Sequence, residues 1–110
     1  MSVEQRKVVD ALGVRGADGF AVLTIADDLP WDSDNHHLFA LQNKINDYLA
    51  FLKSGEVYVA YPEANHREIE IQVVHRFQPV GDALVFLDRA GEKVRRAGFH
   101  FAARVIEAIK

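Results

Sequence analysis

Hydrophobic and polar positions along this chain follow two different periods, and the points where the period changes divide it into elements. Val8 to Leu12 and Phe20 to Ile25 are short apolar runs. Between them lie glycines at 13, 16 and 19 and an Asp18-Gly19 pair, the composition of a β-hairpin turn. The second run, Phe20-Ala21-Val22-Leu23-Thr24-Ile25, is apolar on both alternating faces. It therefore predicts a strand covered on both sides and central in its sheet.

After Pro30 the period lengthens. From about Ser33 to Lys53, residues Leu38, Leu41, Ile45, Tyr48, Leu49 and Leu52 recur at helical spacing, with Asn43, Asn46, Asp47 and Ala50 off the stripe. Ser54-Gly55 ends this helix, because glycine takes the left-handed conformation that releases the chain. Residues 56–67 read as a partly apolar connection with room for a short strand, closed by a turn at Pro62. Strict alternation returns at Glu68 to Phe77: Ile69, Ile71, Val73, His75 and Phe77 point one way, while Glu68, Glu70, Gln72 and Arg76 point the other, toward water. A second helix is predicted from Gly81 to Ala97, burying Ala83, Leu87, Ala90, Val94 and Ala97 with Leu84 and Phe86 at the flanks. Lys93, Arg95 and Arg96 offset its dipole and Gly98 terminates it. Phe99 to Ile106 alternates again as a last strand.

The order β-β-α-β-α-β, with each helix joining two strands by a right-handed crossover, places both helices on one face of a four-stranded mixed sheet. The expected fold is a two-layer α/β (α+β) sandwich. Val74, Ala102, Ile106 and one side of the Phe20 to Ile25 run fall on the uncovered face, and apolar sheet surface of that kind predicts self-association as a two-fold homodimer.

Composition narrows the function without naming it. A length of 110 residues with 49% hydrophobic side chains suits one domain, residues 1–110. Net charge −3 lacks the clustered positive charge of a nucleic-acid surface, so DNA and RNA are not expected partners. The absence of cysteine removes disulfides, thiolate metal sites and cysteine nucleophiles, and fits a reducing compartment. No signal-peptide run opens the chain and no stretch approaches the roughly 18 apolar residues of a membrane span, so a cytoplasmic protein without membrane contact is expected.

The densest chemistry lies in Pro30-Trp31-Asp32-Ser33-Asp34-Asn35-His36-His37-Leu38. On a helix neighbouring residues diverge by about 100°, so His36 and His37 cannot face one ion. The usable pairs, Asp32 with His36 and Asp34 with His37, supply two ligands each, short of a zinc set, and the H-E-x-x-H spacing is missing. Helix capping explains the stretch better: Asp32 or Ser33 accepts bonds from unpaired amides, Asp34 complements the dipole, and Trp31 packs under the first turn. The dipole disfavours charge on His36 and His37 while Asp32 and Asp34 favour it, which predicts a pH-sensitive helix end. His75 falls on the apolar face of its strand as a buried, hydrogen-bonded histidine, with a pocket imidazole as the alternative. Tyr58 and Tyr61 either plug the core beneath the connection or form an aromatic groove with Pro62 and Trp31. The glycine loop at residues 13–19 opens a strand rather than a helix, so it is no phosphate cradle. Asp27-Asp28 reads as a solvated pair beside a turn. Serines occur only at 2, 33 and 54, with no G-x-S-x-G elbow, which leans away from an enzyme. No cofactor or metal is expected.

The run Leu23-Thr24-Ile25-x-Asp27-x-Leu29-x-Trp31, then His37-Leu38-x-x-Leu41-Gln42-x-Lys44-Ile45-Asn46-x-Tyr48-Leu49, then Ser54-Gly55-Glu56, resembles a family of short bacterial proteins of unknown function. The likeness extends over nearly the whole chain. It implies the same element order and a bacterial cytoplasmic setting, and no activity. The leading expectation is a non-enzymatic protein-binding or accessory module, of the kind immunity proteins exemplify. The alternative is a small-molecule or metal-binding domain, possibly an enzyme, with a pocket near Trp31, His37, Tyr58 and Tyr61.

Overall fold

A computed structural model of the chain describes residues 9–31 and 36–106. Strands β1 (Ala11–Val14) and β2 (Ala21–Asp27) precede α1 (His36–Lys53), a short α2 (Glu56–Ala60) and a 3₁₀ turn (Pro62–Ala64). Then come β3 (Ile69–His75), α3 (Asp82–Arg96) and β4 (His100–Val105). The four strands lie side by side in sequence order. β1 runs antiparallel to β2, and β2, β3 and β4 are mutually parallel.

This is the expected mixed sheet and α+β order, with three differences. β1 starts later than the apolar run suggests, at Ala11 rather than Val8, while its hairpin closes as expected through Arg15 N–H to Phe20 C=O (2.9 Å) and Gly19 N–H to Arg15 C=O (2.8 Å). Residues 56–67 hold no strand: Glu56–Ala60 is helical and Pro62–Ala64 forms the 3₁₀ turn. Gly55 at φ 83° makes the turn from α1 into α2, where a side chain would be strained. The polar face of β3 does not simply meet water, because Glu70 and Val74 are both buried on it.

The core lies between the sheet and the helices. Leu23 and Ile25 of β2 and Ile71 and Val73 of β3 meet Leu41, Ile45, Leu49 and Leu52 of α1 and Val94 of α3, all essentially inaccessible. Full burial of each such side chain contributes about 1.5–3 kcal/mol. The inner stripe of α1 begins with His37 rather than Leu38 and includes Lys44. α3 approaches β4 at Gly91, where an added Cβ would lie 3.0 Å from the Phe101 ring. Leu87, predicted buried, is only half-buried, and Gly91 takes a place in the stripe that a hydrophobicity pattern passes over.

α1 and α3 each connect two neighbouring parallel strands, so each runs back along the strand it follows. The carboxyl ends of β2 and β3 therefore meet the first turn of α1, which is where ligands of open parallel sheets gather.

Candidate functional site

Asp27 ends β2 and His75 ends β3, paired across the parallel ladder. His37 is in the first turn of α1 directly above them. All three side chains are sealed from solvent. The Asp27 carboxylate bridges two imidazoles: Oδ1 lies 2.5 Å from His37 Nε2 and Oδ2 lies 2.6 Å from His75 Nδ1. His37 Nδ1 faces the Pro30 carbonyl at 3.1 Å. A carbonyl only accepts, so Nδ1–H donates to it, and Nε2 lies in hydrogen-bond contact with the Asp27 carboxylate. His75 donates Nδ1–H to the carboxylate, which leaves its Nε2 as a lone-pair acceptor in the neutral ring. That atom is buried and has no hydrogen-bond partner among the described residues. Carboxylate-held imidazoles of this form are the orienting half of an acid/base dyad or the outer support of a metal ligand.

Trp31 closes the cluster. Its indole stacks on His37 with ring centroids 3.6 Å apart and planes 17° from parallel, and it lies 5.8 Å from the His75 ring. Its Nε1–H donates to the Phe77 carbonyl at 3.2 Å, tying the exits of β2 and β3 together.

A second buried polar network lies further along α1. Lys44 Nζ donates to Asp10 Oδ1 at 3.1 Å, with both side chains essentially inaccessible. The other carboxylate oxygen of Asp10 accepts from Ala26 N–H (2.9 Å), and its own N–H donates to the Tyr48 hydroxyl (2.9 Å). Tyr48 in turn donates to the Thr24 carbonyl at 2.7 Å. Burial pushes the Tyr48 hydroxyl well above the ordinary tyrosine range.

Of the residues singled out from sequence, Trp31, His37 and His75 converge. Trp31 packs under the first turn of α1 as expected, and His36 is exposed while His37 is buried, as their angular separation requires. Tyr58 and Tyr61 do not join them. They sit half-buried against the core in and after α2, beyond the far end of α1, a helix of 18 residues or about 27 Å. The length of α1 lies between them and Trp31, and both pack against the buried core. Asp32, Ser33 and Asp34, proposed as caps or ligands, lie outside the described residues. Asp27 reverses the expectation of a solvated turn residue, since it is the centre of the cluster. Asp10 and Lys44 went unmarked, because a lone charged residue among apolar neighbours shows no partner at local spacing and these two are 34 residues apart. Yet Asp27, Trp31, His37, Lys44 and Tyr48 all belong to the motif that carried the family resemblance. Among the described residues, no group of three or more His, Asp or Glu side chains is placed to hold a metal ion.

Fold and site together define a small α+β domain with a sealed histidine–aspartate–histidine cluster at the carboxyl ends of its parallel strands. Residues 1–107 match a family of unknown function (DUF6572), and the chain belongs to that family. Comparison with curated proteins and with solved structures finds no match. Among the described residues, no helix is long and apolar enough to cross a membrane.

Proposed function

We propose that this protein is a non-enzymatic binding module that engages another protein, most simply a second copy of itself, through the carboxyl edge of its sheet. The observation that carries this reading is the concentration of exposed apolar side chains there. Val80 is 62% exposed, Leu84 53% and Phe39 62%, with Phe77 and Ile106 also accessible. Phe77 and Val80 lie in the loop leaving β3, Leu84 in the first turn of α3, Phe39 in the first turn of α1, and Ile106 directly after β4. Topology brings all five to one edge. The helix-free face is a weaker candidate than its sequence pattern implied, because Val74 is already covered within the chain and Glu70 and Arg104 share that face.

In this reading the buried cluster fixes the edge, holding β2, β3 and α1 in one register so that the apolar rim is presented as a rigid surface. An accessory or immunity-like role is the matching biology. Sedimentation velocity across a concentration series tests it. The native chain should show reversible dimerisation that Val80→Asp with Leu84→Asp abolishes without lowering Tm, and a native chain that stays monomeric throughout refutes self-association.

A second reading is favoured by one observation, the unpartnered His75 Nε2. A small molecule carrying an O–H or N–H donor would satisfy it, with Trp31 reporting the event. Ligand-induced change in Trp31 fluorescence that disappears in His75→Gln would select this alternative.

A further inference from the structure

Gly13 sits inside β1 with no structural reason to be glycine. Its register partner is Val22 in an unbroken ladder from Ala11↔Thr24 to Val14↔Ala21, so there is no bulge. It is not among the residues of positive φ. A Cβ built on it meets nothing within 4 Å, so no neighbour demands its absence. Glycine inside a strand costs roughly 0.5–1 kcal/mol relative to alanine, and where neither bulge nor bend explains it, the remaining cause is a group that approaches the backbone there.

What it leaves open is a hollow of about 460 Å³ on the helix-free face, within the size range of small-molecule sites. The hollow exists because the two β1 residues on that face are Ala11 and Gly13, while Val22 and Thr24 of β2, Gln72 of β3 and Arg104 of β4 continue the same face. Two cations line it and they differ. Arg15 is neutralised by Asp18 and Glu70, at 2.6 and 2.9 Å, and these carboxylates hold its guanidinium above its ordinary range. Arg104 pairs with no side chain among the described residues, although the chain has 16 acidic against 13 basic side chains. The Thr24 hydroxyl and the Gln72 carboxamide likewise make no hydrogen bond among the described residues.

We propose that this hollow binds a small organic monocarboxylate, its carboxylate on Arg104 and Gln72 and its apolar body over Val22 and against the bare backbone at Gly13. A guanidinium fork matches a carboxylate, and the amide and hydroxyl add neutral donors. One uncompensated positive charge matches a monoanion. Glu70 and Asp18 at the Arg15 end oppose a second negative charge, which disfavours phosphate, and the apolar floor favours a hydrocarbon body over an inorganic ion. This site is distinct from the carboxyl edge.

The test is a titration of the full chain followed by two-dimensional amide NMR, with hexanoate as the probe and hexanamide and inorganic phosphate as comparators. Hexanoate should shift the amides of Gly13, Val22, Thr24 and Gln72 saturably, with hexanamide and phosphate weaker by roughly tenfold or more, the worth of one charge-assisted bond. Arg104→Ala should weaken hexanoate to the level of hexanamide. Gly13→Val should abolish the shifts while leaving Tm unchanged or raised, which separates filling the hollow from unfolding. Absence of saturable shifts, equal binding of the amide or of phosphate, or retention of binding in Gly13→Val each overturns the proposal.

Discussion

Replacing Asp27 separates the two properties of its carboxylate, that it accepts from two imidazoles and that it carries a charge. In Asp27→Ala, His37 Nε2 and His75 Nδ1 both lose their acceptor inside a site that water does not reach. Each orphaned ring nitrogen costs about 1–3 kcal/mol, and removing the carboxylate from two buried partners about 3–5 kcal/mol in all. Against a total stability of roughly 5–15 kcal/mol, that loss leaves the variant marginal. Asp27→Asn behaves differently. Its carboxamide oxygen can accept from His75 Nδ1–H while its NH₂ donates to His37 Nε2, provided that ring keeps its single proton on Nδ1, where the Pro30 carbonyl already receives it. Every atom that faced the carboxylate is then satisfied, and the loss is the difference between charged and neutral hydrogen bonds, about 1 kcal/mol per bond. Urea denaturation followed by fluorescence is the assay, because Trp31 is the only tryptophan and lies on the His37 ring. The expected order is native, then Asp27→Asn lower by about 2 kcal/mol, then Asp27→Ala lower by about 3–5 kcal/mol. Equal losses in the two variants, or a loss below about 1 kcal/mol in Asp27→Ala, would refute the assignment of donors and acceptors.

Three further outcomes follow from the same physics. Lys44→Met strands the buried Asp10 carboxylate and should cost about 3 kcal/mol or more, while adding Asp10→Asn should recover most of it, as a double-mutant cycle by urea denaturation will read. The Tyr48 hydroxyl is held above its ordinary 10.0, so the folded chain keeps a proton that the unfolded chain releases. Its contribution is complete below pH 10 and is lost as pH rises beyond it, and Tyr48→Phe should show a smaller alkaline fall in stability than the native chain in thermal melts. Gly91→Val should lower stability by about 1–3 kcal/mol through collision with Phe101, in contrast to Gly13→Val, measured by the shift in urea midpoint.

The element order was legible because it rests on pattern: a short apolar run bounded by a turn found β2, alternation found β3 and β4, and the helical stripe found α1 and α3. The site was legible only in part, for a physical reason. Pattern reading sends charged residues to water, and here Asp10, Asp27, Lys44 and Glu70 are buried because each has a partner that lies far off in sequence. Asp27 and His75 are 48 residues apart, Asp10 and Lys44 34, so no local spacing announces either pair. The first turn of α1 shows the same effect at single-residue scale. Leu38 is the more apolar neighbour, but the bond to Asp27 turns His37 inward and leaves Leu38 half-covered. The short α2 was missed because its apolar residues sit within a five-residue helix, too brief to display a helical period.

Buried ion networks are poor sources of net stability, since desolvation offsets most of the attraction, so their placement on α1 calls for another account. His37, Lys44 and Tyr48 reach Asp27, Asp10 and the Thr24 carbonyl, three anchors spread over three turns of one helix. Leu41, Ile45 and Leu49, which lie between and beside them, pack without directional preference. Slipping α1 by one turn, about 5.4 Å, would set Leu41 against the Asp27 carboxylate and Tyr48 against Asp10, while the apolar contacts would be largely interchangeable. The polar anchors therefore penalise the slipped register far more than they stabilise the native one. Specification of register is what a rigid edge needs. The His37–Asp27–His75 contact fixes the first turn of α1 against the ends of β2 and β3, where Phe39, Phe77, Val80 and Leu84 are displayed. A chain selected for stability alone would do as well with apolar side chains replacing both partners of each pair, His37 with Asp27 and Lys44 with Asp10, and the fixed register is the feature that such a chain would lose.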